Sequence, residues 1–139
     1  MLYPGTVYYC PNYCLPDGTF HDTWFVALTS PGLNFPALSL KATSNGKRFG
    51  MPNVGCNTQA RCFHVPDYSK YGFTLPSYLI LPNLHQLSFL SYLEYREQKK
   101  IFIKGNLDEE CLVQLMNCLE NFEDDIHRDE YMTLFPVPF

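Results

Sequence analysis

Leu38-Ser39-Leu40-Lys41-Ala42-Thr43-Ser44-Asn45-Gly46 decides how this chain reads. Apolar and polar residues alternate from Leu38 to Ala42, the period of a half-buried strand. Thr43 and Ser44 follow, against Asn45-Gly46, the dipeptide that most strongly signals a tight turn between strands. The stretch therefore predicts a strand that delivers two hydroxyls to a hairpin corner. Ser and Thr suit turns through local hydrogen bonds. The same two hydroxyls can also hold a phosphate or polarise a reacting group.

Working outward, short β-rich runs dominate. Residues 6–10 follow a Pro-Gly turn and read as a first strand. Residues 11–21 read as a loop, with Pro11, Asn12, Pro16, Asp17 and Gly18 as breakers. Trp24-Phe25-Val26-Ala27-Leu28 is a nearly unbroken apolar run of strand length, so it predicts a central strand covered on both faces. Residues 47–57 are polar and glycine-rich, with the basic pair Lys47-Arg48. Residues 61–65 alternate and stop at Pro66-Asp67. Residues 77–81 form another strand between Pro76 and Pro82. Residues 84–95 fit either a short helix or a strand followed by a turn. Residues 100–104 alternate, with Ile101 and Ile103 on one face.

One helix is well marked, over residues 106–123. Asn106 stands at the capping position with Glu109 three residues later. Asp108, Glu109 and Glu110 complement the positive end of the helix dipole. Leu112, Leu115, Met116, Leu119 and Phe122 form one apolar stripe, which predicts packing on the sheet. Glu123-Asp124-Asp125 reads as a solvated acidic end. The apolar residues 131–139 contain two prolines, so they cannot be helical throughout. They predict a tail that docks on the domain or waits for a partner.

The expected fold is mainly β with a C-terminal helix, a small barrel or strongly bent sheet. At 139 residues the chain makes one domain. Its 11 Phe, 10 Tyr and single Trp suit short twisted strands better than a helical bundle. The net charge of −4 argues against a general basic surface for nucleic acid, while leaving room for a local basic patch. No apolar run approaches the ~18 residues of a membrane span, and no signal peptide is recognised at the start. A cytoplasmic location is expected, with all six cysteines reduced. Cys10 and Cys14, together with Cys56, Cys62 and His64, have loose spacings for a zinc site, so no metal is expected. Cys111 and Cys118 read as core residues of the helix.

The order of these elements resembles the MazF/PemK/Kid toxins, small SH3-like barrels of toxin–antitoxin systems. The resemblance covers residues 5–122. It is carried by Gly5-Thr6-Val7-Tyr8-Tyr9, Phe25-Val26-Ala27-Leu28-Thr29-Ser30, Leu40-Lys41-Ala42-Thr43-Ser44, Leu75-Pro76-Ser77-Tyr78-Leu79 and Lys104-Gly105-Asn106-Leu107-Asp108. It implies a single SH3-like barrel with its helix over residues 1–126 and a tail over 127–139. It also implies a homodimer, an antitoxin protein as partner, and metal-independent cleavage of single-stranded RNA, without a cofactor. Thr43 and Ser44 match the family's hydroxyl pair. The family's loop arginine has no counterpart, because residues 11–23 contain no Lys or Arg. His21 stands near its place and has the proton chemistry for a 2′-OH attack. Arg48 follows the Asn-Gly corner and can reach the same site, and Arg61 is a further candidate with Asp67 to orient it. Lys47, Thr29, Ser30 and Asp67 complete the expected substrate contacts. Two other readings stand beside the endoribonuclease: a catalytically inactive SH3-like module that binds protein, and a zinc-stapled binding domain.

Overall fold

Seven antiparallel strands form a single sheet in the computed structural model, which describes residues 1–136. In chain order they are β1 (Thr6–Cys14), β2 (Phe20–Ala27), β3 (Ala37–Thr43), β4 (Gly55–Asn57), β5 (Cys62–His64), β6 (Tyr78–Leu87) and β7 (Phe102–Asn106). In space they lie in the order β4-β5-β6-β3-β2-β1-β7. Three helices accompany them: α1 (Phe89–Glu97), α2 (Glu109–Glu120) and α3 (Arg128–Leu134). The mainly β class is as expected. Where one amphipathic helix was expected, three short ones are present. Among the described residues, no helix is long and apolar enough to cross a membrane.

The sheet is covered on both faces. Val7, Val26, Leu40 and Leu79 pack with Leu115 and Leu119 of α2 in the larger core. Tyr8, Phe25 and Ala27 pack with Tyr92 of α1, Leu2 and Ile101 on the other side. Phe25 and Val26 are adjacent in sequence, face opposite ways, and are 1% and 0% exposed. That is why residues 24–28 read as one unbroken apolar run: β2 is central, between β3 and β1. Burying such a side chain is worth about 1.5–3 kcal/mol. Leu134 of α3 also belongs to the larger core. Residues 137–139 of the expected tail lie outside the described residues.

Several local expectations change. The segment 11–21 is a continuation of the β1–β2 hairpin and not a loop. Tyr13 pairs with His21 and Cys14 with Phe20, past a bulge between Cys10 and Tyr13. Asn12 takes a positive φ of 52° there, and Asp22 Oδ1 accepts its backbone N–H at 2.9 Å. The bulge absorbs the breakers without ending the strand. β6 likewise runs on through Pro82 to Leu87. Asn45-Gly46 makes no hairpin: β3 pairs with β2 and β6, and Gly46–Phe49 is a 3₁₀ turn. Ile101 is buried while Ile103 is 43% exposed, because β7 is an edge strand that starts at Phe102. The cap of α2 is Asp108, whose side chain accepts the Cys111 N–H at 2.8 Å.

The sheet also curls. The 3₁₀ turn Tyr68–Tyr71 follows β5, yet Gly72 after it lies against Lys104 of β7, at the far margin. Gly72 and Gly105 meet almost backbone to backbone. A Cβ on Gly72 would collide with the Lys104 carbonyl, and one on Gly105 with the Tyr71 carbonyl. Tyr71 Oη and Lys70 Nζ both donate to Asp108 Oδ2, at 3.0 and 3.1 Å. The Cys111 amide first, then these two donors, hold the Asp108 carboxyl below its usual pKa.

The cysteines differ most from expectation. Cys56 of β4 and Cys118 of α2 form a disulfide, with Cα atoms 5.5 Å apart. Cys118 is a buried residue of α2, as its place in the helix suggested, but it is bonded rather than free. The edge strand β4 packs across α2 and brings the two sulfurs together. The expectation of six reduced cysteines is therefore corrected for this pair. Cys10, Cys14, Cys62 and Cys111 are free.

Candidate functional site

β3 ends at Thr43, and there the ends of the central strands border a cleft of about 450 Å3. Four segments wall it. The β1–β2 turn contributes Leu15; β2 contributes His21, Asp22 and Trp24; β3 contributes Lys41 and Thr43, with Ser44 just beyond it; the connection into β6 contributes Thr74 and Ser77. The hairpin extension of β1–β2 is what carries His21 here. Had residues 11–21 been an irregular loop, His21 would have had no fixed place beside Thr43.

One of the two hydroxyls is held by a local bond. Thr43 Oγ1 accepts the Asn45 N–H at 3.2 Å, a turn bond that Thr makes readily. At Ser44 it is the backbone carbonyl that accepts, from the Gly46 N–H at 3.0 Å. Thr43 Oγ1 still has its own proton to donate. Ser44 is exposed and His21 is exposed at the cleft wall. Ser77 is 6% exposed and donates to the Leu75 carbonyl at 2.8 Å.

Behind Thr43 the wall is stiff. Tyr78 pairs with Thr43 across β3 and β6. Its ring is stacked on His64 at 4.2 Å and on Phe49 at 6.0 Å. Gly46 lies flat on the same ring, and a Cβ there would come within 2.6 Å of Tyr78 Oη. His64 Nδ1 is 3.0 Å from the Pro52 carbonyl, so that nitrogen carries the proton. The 3₁₀ turn is thus bound to the sheet through one aromatic stack.

Among the described residues, Lys41 is the single Lys or Arg that lines the cleft, and its place in the alternating strand gave no sign of this. It pairs with Phe25, so its stem leaves the sheet on the face of Phe25 and His85, opposite Trp24. Burial, and then the Lys41 ammonium, push the His85 pKa below its usual value. Asp22 brings a carboxylate to the opposite side. Burial first, then a hydrogen bond with Asp22, raise the pKa of Tyr9. Trp24 is the aromatic wall, 5.6 Å from Phe73 and 5.1 Å from Tyr9 between ring centres.

The remaining expected residues lie elsewhere. Arg48 and Lys47 are on the 3₁₀ turn next to the cleft, with the Arg48 guanidinium over the Phe49 ring at 5.3 Å. Arg61 lies over the Phe122 ring and pairs with Asp125 at 3.5 Å, so Asp67 is not its partner. Asp67 precedes the turn Tyr68–Tyr71, where its carbonyl accepts the Lys70 N–H. Thr29 Oγ1 accepts the Leu38 N–H at 2.8 Å at the opposite end of β3, with Ser30 beside it.

For the zinc reading, Cys56 is spent in the disulfide and Cys10 is a buried thiol pushed up to about 12 by desolvation. Zinc needs thiolates. Among the described residues, no three His, Cys, Asp or Glu side chains converge on a point where a metal would sit. No protein-family model matches the chain, and no curated protein matches it either.

Proposed function

We propose that the chain is a metal-independent endoribonuclease of the MazF/PemK/Kid type, the toxin of a type II toxin–antitoxin system, cutting single-stranded RNA. One observation carries the reading: His21, Thr43 and Ser44, named from separate parts of the sequence, line a single cleft. The curled seven-stranded sheet with its helices is compatible with an SH3-like barrel. The homodimer and the antitoxin partner belong to the same proposal.

In this reaction the ribose 2′-OH attacks the neighbouring phosphorus. The O2′–P bond forms, the P–O5′ bond breaks, and a cyclic phosphate remains. Thr43 and Ser44 donate to the non-bridging oxygens as charge builds on them. His21 takes the 2′ proton or returns one to the leaving oxygen. Single strands are the substrate because their backbone can rotate the 2′-OH into line. Without the family's loop arginine, positive charge comes from Lys41 at the cleft wall and from Lys47 and Arg48 on the adjoining turn.

The test is RNA cleavage in EDTA, with growth on expression as a second readout. Thr43→Ala should lose on the order of a hundredfold in rate, the usual cost of one transition-state donor. His21→Ala should lose a similar factor. Intact RNA and normal growth with the wild type would reject the enzyme. Full activity in His21→Ala with loss in Arg48→Ala would keep the enzyme and move its proton chemistry elsewhere.

The inactive protein-binding reading has a separate observation in its favour. Leu33, Phe35 and Leu90 stand 91%, 65% and 71% exposed. They lie far from the cleft and bear on a different surface.

A further inference from the structure

At the end of the sheet opposite the cleft, two hollows run together. One, of about 400 Å3, lies between the start of β3 and α3. The other, of about 480 Å3, lies between the β2–β3 connection and the start of α1. They share Phe35, Pro36 and Gln86, so they form one groove. β3 separates this groove from the cleft by its own length, about 20 Å at 3.3 Å per residue.

The groove has an apolar bed and one acidic wall. Leu33, Phe35 and Leu90 line it with most of their surface in water, and Leu38 and Met132 continue the bed. Exposed apolar side chains gathered around a concave surface mark a binding site more often than scattered ones do. Asp129 and Glu130 of α3 form the wall, and among the described residues no Lys, Arg or His lines either hollow. Gln86 Nε2 donates to Glu130 Oε2 at 3.2 Å. Among the described residues, neither carboxylate has a salt-bridge partner.

We propose that this groove binds a short amphipathic peptide segment of a partner protein, with apolar side chains against Phe35 and Leu90 and Lys or Arg side chains facing Asp129 and Glu130. Charge selects this occupant. Nucleic acid and anionic lipid would meet the carboxylates with like charge. A second copy docked groove to groove would bring no Lys, Arg or His of its own groove to face Asp129 and Glu130, since among the described residues none lines it. A cationic amphipathic peptide satisfies both the bed and the wall. The site is independent of the chemistry in the cleft.

The probe is a fluorescein-labelled synthetic peptide of leucine and arginine, titrated into the full chain and read by anisotropy. Two control peptides replace the arginines by glutamate or the leucines by serine. The leucine–arginine peptide should bind at least tenfold more tightly than either control. Phe35→Ala should weaken it about tenfold, the size of one good apolar anchor. Asp129→Asn with Glu130→Gln should weaken it and flatten its salt dependence. Circular dichroism matching the wild type establishes that these surface variants fold. RNA cleavage by Phe35→Ala should be unchanged, so failure here and failure of the nuclease reading are told apart. Equal binding of the serine control would reduce the effect to net charge and overturn the proposal. Equal binding of the glutamate control would reduce it to general stickiness and overturn it too. A dimer that Phe35→Ala dissociates would show that a second copy fills the groove, and the peptide proposal would fall with it.

Discussion

Gly46 shows what one residue contributes here. Its place is not set by a left-handed backbone but by the Tyr78 ring pressed against it. Tyr78 is 3% exposed and stacked with the rings of His64 and Phe49, so it has little room to move. Gly46→Ala should therefore destabilise the fold by about 1–3 kcal/mol, the usual cost of overpacking. Urea denaturation of the variant measures it, and an unchanged midpoint would contradict the stacking argument. His85 makes a second case. Burial among Phe25 and its neighbours lowers its pKa in the folded chain, and Lys41 adds to the shift. The unfolded chain takes up that proton near the ordinary value of about 6.5. Stability is then complete above that pH and declines as pH falls from it toward the lowered folded value. Comparing wild type with His85→Phe between pH 7.5 and 5 should show a smaller decline in the variant. Neither role is legible in the sequence. Asn-Gly signals a turn, and no local pattern reveals that an aromatic ring from a later strand will lie across it.

Among the elements, those whose partners are local were the legible ones. α2 announced itself through its 3.6-residue stripe, and β2 through an apolar run that needs cover on both faces. The cap moved from Asn106 to Asp108 because β7 runs on through Asn106 and the helix starts only after Leu107 docks. The hairpin extension at residues 11–21 was illegible because its breakers are absorbed by a bulge, which depends on Asp22 reaching back to Asn12. His21 and Thr43 could be named as residue types, but their meeting depended on that extension. The staple between β4 and α2 had no sequence signal at all. It predicts four titratable thiols in the denatured, unreduced chain, not six. It closes a loop with a sequence separation of 62. Chain-entropy reasoning puts the gain at about 4 kcal/mol. Reduction, or Cys56→Ser, should lower the thermal midpoint by a corresponding amount in differential scanning calorimetry. Six reactive thiols in the untreated chain would remove this element of the fold.

For the whole molecule, the chain's two halves are tied together. β1 pairs with β7, Thr6 opposite Asn106, and the turn after β5 locks onto the same β7 through Gly72 and Gly105. Order in sequence gives no hint of β3 beside β6 or β1 beside β7, since such pairings are decided by the shared core. They make the domain one unit. Unfolding in urea should show a single transition, with far-UV dichroism and fluorescence midpoints coinciding. Separate midpoints would mean that the β4–β5 margin melts by itself. Because so many pairings are distant, refolding should fall in the millisecond-to-second range of β-rich domains. Trp24 gives this molecule a lamp of its own. It is the chain's single tryptophan and stands in the wall of the cleft beside Thr43 and His21. Its emission therefore comes from one known place. A molecule entering the cleft changes the colour or brightness of that light with no label attached, while a peptide in the distant groove leaves it untouched.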